Sequence, residues 1–536
     1  MTNESVCDQQ GVFLHEDSEP GVAGERAAAE GGGRALLLSR FSLAWESLLA
    51  DPNLEKGKIS PRRTFQARAS PFRPKPNQTL APPPHHGRRR RSPLHGGPRR
   101  GDLISDLNDD VLREIITRLP LMEAARTAVL ASRWRYLWRS DRLVLKDVDI
   151  HEPARDAVVP RVLADYPGHF RTVILADCRL ASLDRELPAW PRLLVDKRTE
   201  ELLLANRWVM DQPNPARLLP ADILRCDSLQ ELTLDFWTFP SGTEVLLPRL
   251  RALAIVRIVI SEQELECLIA ASPVLESLRL TVNSSKHVRL RSKSLTCALV
   301  GLLKVEELTV VDTPLLARLF LFLSLPLNGV RIRIVCAPNL RVLGYLNTGT
   351  HELQIGDSVI RPDRMVSTST VVPSVQILAL TVNFGVFVEV KMLASFLRCF
   401  PNVDTLHIQS VLRGPSVTAN EPSGDHHANF WREISPICCL RSHVKKMVIH
   451  NFRGDQNEFE FLKFVAMNAE ELQSLLVASH KDILSSAVKV NETKDELQRL
   501  QFPTGISAVL RVSPKAATVW RLGKACILTI DDPFEC

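Results

Sequence analysis

Cys438, Cys439, His443 and His450 put two thiols and two imidazoles into one short stretch, the donor types of a zinc site. Their spacing argues against one. Adjacent cysteines seldom share an ion, no second ligand pair follows at a zinc-finger separation, and His443 and His450 fall on opposite faces of any strand that carries both. A second chemistry-bearing pattern is Arg88 to Arg91, a concentrated positive charge suited to the acidic groove of a nuclear-import receptor or to a phosphate backbone. No aromatic residues interleave those arginines for base stacking, so nucleic-acid binding is not expected. The chain has no Gly-x-Ser-x-Gly elbow, no phosphate-binding glycine loop and no His-Glu-x-x-His, which leaves no nucleophile or general base to name. The expectation is a protein without a catalytic site, metal or cofactor.

Composition frames that expectation. The 536 residues are 45% hydrophobic and 24% charged, enough for several domains with sizeable cores. The net charge of +6 is unevenly spread: residues 51–100 hold 13 Lys+Arg against 2 Asp+Glu and residues 1–50 hold 3 against 8, so residues 101–536 are neutral overall. Bulk charge therefore gives the body no general affinity for nucleic acid. Eleven cysteines, an odd number without dense spacing, fit reduced thiols in the nucleus or cytoplasm. The acidic N-terminus without an apolar core fits neither a signal peptide nor a transit peptide. The longest apolar run, Leu315 to Leu327, is interrupted by Arg318 and is too short for a membrane span, so no membrane partner is expected.

The elements that position any site begin after residue 100. Residues 1–100 hold ten of the 35 prolines between positions 51 and 100, together with Gly31 to Gly33, and read as a disordered tail. Ala35 to Leu49 is the exception, a short amphipathic segment. From Asp102 the pattern is helical. Asn108 or Asp109 can N-cap a helix carrying Val111, Leu112, Ile115, Ile116 and Leu119, which Pro120 stops. A second helix holds Met122, Ala125 and Val129, and a third holds Trp134, Leu137 and Trp138 at i, i+3 and i+4. Three helices this short cannot bury so much apolar surface alone, so part of it must meet a partner.

The order Leu107, Leu119-Pro120, Ala124 to Thr127, Val129-Leu130, Ser132 to Arg135 and Leu137-Trp138 resembles the F-box motif in its plant form, over residues 101–142. The resemblance implies docking to the adaptor of a cullin–RING ubiquitin ligase and, through the adaptor, to cullin. Carried over by position, Leu107, Ile115, Leu119, Pro120 and Leu121 would face the adaptor, and Val111, Val129, Trp134, Leu137 and Trp138 would form the three-helix core. Asn108 stands where the motif usually has proline, and Met122 where a basic residue is common.

After Ser140 one pattern recurs: apolar, two variable, apolar, one variable, apolar. Copies start at Phe170, Leu229, Leu250, Leu275, Val305, Leu340, Val375, Val403 and Val444, with a weaker one at Glu201 to Leu204, at the long and irregular end of the leucine-rich-repeat period. The period-2 apolar pair of each copy points into a solenoid and the residues between face its concave side. The fold class expected is α/β: a three-helix F-box, then leucine-rich repeats forming a curved parallel sheet over 143–424. The concave positions include Glu231, Thr233, Ser277, Arg279, Glu307, Thr309, Thr405 and His407, mixed polar groups suited to binding a protein target.

Phe430-Trp431, Val444 to His450, Arg453-Gly454 and the apolar helix from Glu458 read as a strand-turn-helix unit over 425–480. It resembles the FBD module of plant F-box/leucine-rich-repeat proteins and is expected to close the solenoid's open end, leaving 481–536 as an extension. The function expected is that of a non-catalytic, target-recognising subunit of a ubiquitin ligase. The alternative is a leucine-rich-repeat scaffold or nuclear regulator that engages no ligase.

Overall fold

The computed structural model describes residues 104–534 apart from positions 105, 120, 141, 184, 207–216, 283, 323–328, 361–369, 412–424 and 514–524. The tail, the segment Ala35 to Leu49, the run Arg88 to Arg91 and Pro120 lie outside the described residues.

One fourteen-stranded sheet organises the body. Its strands, each hydrogen-bonded to the next, are Leu143–Lys146, Phe170–Leu175, Glu201–Ala205, Glu231–Asp235, Ala252–Ile258, Ser277–Val282, Cys297–Gly301, Arg318–Phe322, Val342–Asn347, Ile377–Val382, Thr405–Ser410, Lys446–His450, Ser474–His480 and Val509–Ser513. Each pairing is parallel, so every strand must be followed by a return across the other side of the core. Alternation sets the faces. Leu278 and Leu280, Leu319 and Leu321, and Leu406 and Ile408 are at most 1% exposed in the main core, while the residues between them face the opposite side.

The returns are of two kinds. Helices Glu152–Asp165, Glu262–Ala270, Phe387–Cys399, Gln456–Asn468 and Ala487–Gln498 serve the ends of the ladder. In the middle the returns are strands, His287–Arg291, Glu307–Asp312, Val330–Ile334, His351–Ile355 and Ser358–Ile360, which form a second, five-stranded sheet over the same core. The copy starting at Val305 belongs to this second sheet. Glu307 and Thr309 are therefore not on the ladder's outer face, a correction whose cause is that strand and return share one apolar alternation. The copies starting at Leu295 and Leu316, which supply the strands Cys297–Gly301 and Arg318–Phe322, complete the ladder and restore a regular repeat.

The strand-turn-helix unit is built as Lys446–His450, Gln456–Asn468 and Ser474–His480. Glu458 fixes its turn: its carboxylate accepts from the Arg453 and Asp455 backbone N–H groups at 3.0 and 3.1 Å and from the Ser410 hydroxyl, while 2% exposed. The unit continues the ladder but does not close it. Val509–Ser513 pairs beyond Ser474–His480 and forms the edge.

At the other end, helices Asp109–Thr117, Leu121–Thr127 and Trp134–Ser140 join the same core. Asn108 caps the first, its side chain accepting from the Val111 N–H at 2.9 Å. Helix Leu121–Thr127 packs on the strand Leu143–Lys146, and the Tyr166 hydroxyl donates to the Trp138 carbonyl at 2.8 Å. Among the described residues no helix is long and apolar enough to cross a membrane.

Candidate functional site: a docking face and a gripped groove

The first candidate surface lies on the N-terminal helices. Leu112, Ile116, Leu121, Ala124, Trp134 and Leu137 are buried, and Leu107, Leu119 and Trp138 pack half-buried against them. Val111, Ile115, Met122, Val129 and Leu130 are exposed, Val129 by 85%. Three expected positions change. Val111 is on the surface rather than in the core, because Leu112 and Ile116 occupy the inward face one residue on. Val129 lies in the turn after helix Leu121–Thr127, not on it. Leu121 is 7% exposed and belongs to the core rather than to the surface. Ile115 is exposed, and Trp134, Leu137 and Trp138 sit inside or at the margin of the core.

The second surface is the ladder face turned away from the core. One register row across it reads Glu201, Glu231, Ala252, Ser277, Cys297, Arg318, Val342, Ile377, Thr405, Lys446. Glu201 and Glu231 stand side by side. Burial, and then the Glu201 charge, push the Glu231 carboxyl up to about 8, with Arg171 opposing.

Much of this face is covered by the chain's own segment Ala525–Phe534. The Ser277 hydroxyl donates to Cys526 Sγ at 3.2 Å, and Cys297 Sγ lies 3.7 Å from Cys526 Sγ. The guanidinium of Arg318 donates to the carbonyls of Ala525, Ile527 and Leu528 at 3.2, 2.9 and 3.2 Å, and to that of Ile530. His407 Nε2 lies 3.1 Å from both Asp532 oxygens, and Lys446 Nζ donates to one of them at 2.9 Å. Burial opposes ionisation of Asp532, but His407 and Lys446 outweigh it and hold the carboxyl well below the usual carboxylate range. Phe534 is fully buried among the rings of Phe320, Tyr345 and His407, at centroid distances of 5.3, 5.2 and 5.4 Å.

This arrangement corrects the expected polar target face. His407 is 0% exposed, and Ser277 and Thr233 are buried. Arg279, Glu231 and Thr405 remain partly open. Of the suspected metal donors, Cys439 is in the core, Cys438 is exposed, and His450 stacks on His407 with nitrogens 3.2 Å apart. Among the described residues no group of three His, Cys, Asp or Glu is placed to hold a metal ion. Sequence reasoning missed Cys297, Arg318, Lys446, Cys526, Asp532 and Phe534. One signal was present: Arg318 sits in an apolar strand and needs a partner from elsewhere.

Comparison with known families agrees with this anatomy. The F-box domain model matches residues 104–146, the model for the leucine-rich repeats of FBD-associated F-box protein At5g56370 matches 187–408, and the FBD model matches 432–477. The chain thus carries an F-box, a leucine-rich-repeat region and an FBD match in that order. An F-box/FBD/LRR-repeat protein of Arabidopsis thaliana is 29% identical over 210 residues, covering 38% of this chain and 46% of its own length. An Arabidopsis F-box/LRR-repeat protein is 30% identical over 194 residues, covering 34% and 38%. A further Arabidopsis F-box/FBD/LRR-repeat protein is 23% identical over 451 residues, covering 76% and 95%. The chain thus spans less than half the length of the first two and nearly all of the third. The F-box match coincides with the three N-terminal helices and their strand Leu143–Lys146, and the FBD match with the turn that Glu458 fixes.

Proposed function

We propose that the chain is the target-recognition subunit of an SCF-type cullin–RING ubiquitin ligase. The observation that carries this reading is the F-box itself: its helices join the core of the ladder and leave Val111, Ile115, Met122, Val129 and Leu130 exposed to solvent. So many exposed apolar side chains on three short helices point to docking by another protein, and the F-box match supports the ligase adaptor as that protein. The chain performs no bond chemistry in this role. Because the F-box and the ladder share one core, a target held on the repeats keeps a set position relative to the adaptor, which raises the effective concentration of its lysines at the recruited conjugating enzyme. The site of action is the nucleus or cytoplasm.

Co-expression of the full chain with a plant adaptor and cullin tests this. Both should co-purify with the wild type and be lost from the double variant Ile115→Asp with Val129→Asp, whose exposed positions leave the fold intact. A soluble wild-type chain that captures no adaptor overturns the reading in favour of a scaffold outside any ligase.

A further inference from the structure

The ladder face from Ser277 to Lys446 carries an apolar floor. Cys297, Leu299, Phe320, Val342, Tyr345 and Ala379 form a second hydrophobic cluster, separate from the main core, which is completed by Ala525, Cys526 and Phe534. Without the C-terminal segment those side chains would be a contiguous exposed apolar patch, which single domains rarely leave uncovered. Among the described residues the segment has no strand pairing to the sheet: it is held by side chains reaching up from the ladder. It is anchored at both ends, at Ala525-Cys526 and at Pro533-Phe534, while Leu528, Thr529 and Asp531 between them are exposed.

The anchors divide into general and specific. Arg318 reads only main-chain carbonyls, four of them, so any backbone in the same conformation satisfies it. Specificity comes from two side chains: a carboxylate between His407 and Lys446, and an aromatic ring two residues later in the Phe320–Tyr345–His407 pocket. We propose that this face is a peptide-binding groove for a target segment bearing an acidic residue followed two positions on by an aromatic, and that Ala525–Phe534 fills it in cis. This deepens the target-recognition reading and rests on it for the identity of the ligand as a ligase target. A tethered occupant competes at high effective concentration, so a target must either exceed it in affinity or meet a chain whose segment has been released.

The probe is a fluorescent synthetic peptide of residues 525–534 carrying C526S. Full-length chain with Asp532→Ala and Phe534→Ala should bind it at least tenfold more tightly than the wild type, whose groove is filled. The same peptide with both anchors changed to Ala should not bind. Equal binding by the two chains, or retention by the anchorless peptide, overturns the proposal. A wild-type measurement guards against misfolding of the variant: excess peptide should speed alkylation of the buried Cys526 at least fivefold, and an unchanged rate overturns the proposal as well. Adaptor capture is scored on the same proteins. A chain that takes the peptide but no adaptor sinks the ligase reading alone, and one that takes adaptor but no peptide sinks the groove alone.

Discussion

His407 Nε2 lies 3.1 Å from both carboxylate oxygens of Asp532, although the two residues are 125 positions apart in the chain. The imidazole belongs to the eleventh strand of the ladder and the carboxylate to the C-terminal segment, so the contact exists only when that segment lies across the sheet. His407 is also stacked on His450, which leaves one buried polar cluster joining two repeats and the segment.

That cluster makes stability acid-sensitive. Burial, then the neighbouring His407, hold the His450 imidazole down to about 3, so between its ordinary value and about 3 the unfolded chain binds a proton that the folded chain refuses. Asp532, depressed by His407 and Lys446, contributes stability above the ordinary carboxylate range that fades as pH falls through its lowered value. Both push the same way. The His450→Gln variant isolates the histidine: the advantage of the wild type over it in denaturant midpoint should shrink as pH falls below about 6.5, and a difference that does not vary with pH contradicts the assignment.

Glu231 acts in the opposite sense. Its carboxyl titrates near 8 in the folded protein, so the folded state holds the extra proton and stability falls as pH rises from the ordinary glutamate range to about 8. Glu231→Gln should stabilise the protein by on the order of 1–2 kcal/mol at pH 9, discounted for its partial exposure. It should change little at pH 4. Thermal melts at the two pH values read this directly.

Glu458 offers a test of the FBD turn. Its side chain takes hydrogen bonds from two backbone N–H groups and the Ser410 hydroxyl in a buried setting. Glu458→Ala would leave those donors unpaired and should cost about 2–4 kcal/mol in urea denaturation. Glu458→Gln keeps one acceptor oxygen and should cost less than half as much.

Leu121 and Val129 should separate folding from docking. Leu121→Ala removes a core side chain and should destabilise by about 2–3 kcal/mol, whereas Val129→Asp at an 85% exposed position should stay within about 0.5 kcal/mol of wild type. Only the second should weaken adaptor capture at unchanged stability.

The sequence by itself determined the cap at Asn108, the F-box order, most of the repeated strands and the module around Glu458, because each is written in residues close together: caps, a helical or period-2 apolar spacing, a turn. It could not say which repeats alternate into which sheet. Leu308 and Val310 alternate in the same way as Leu278 and Leu280, yet the first pair belongs to a return and the second to the ladder. Nor could it place Val111 against Leu112, neighbours separated by a rotation about the helix that only packing on helix Trp134–Ser140 and the strand Leu143–Lys146 decides. The groove is the clearest case. Lys446 and His407 look like polar residues on solvated strands, Arg318 shows only as a lone charge in an apolar run, and Asp532 and Phe534 look like part of a terminal extension. Tertiary structure joins them because a buried guanidinium needs acceptors and an apolar strip needs a cover, and the segment that supplies both is remote in sequence.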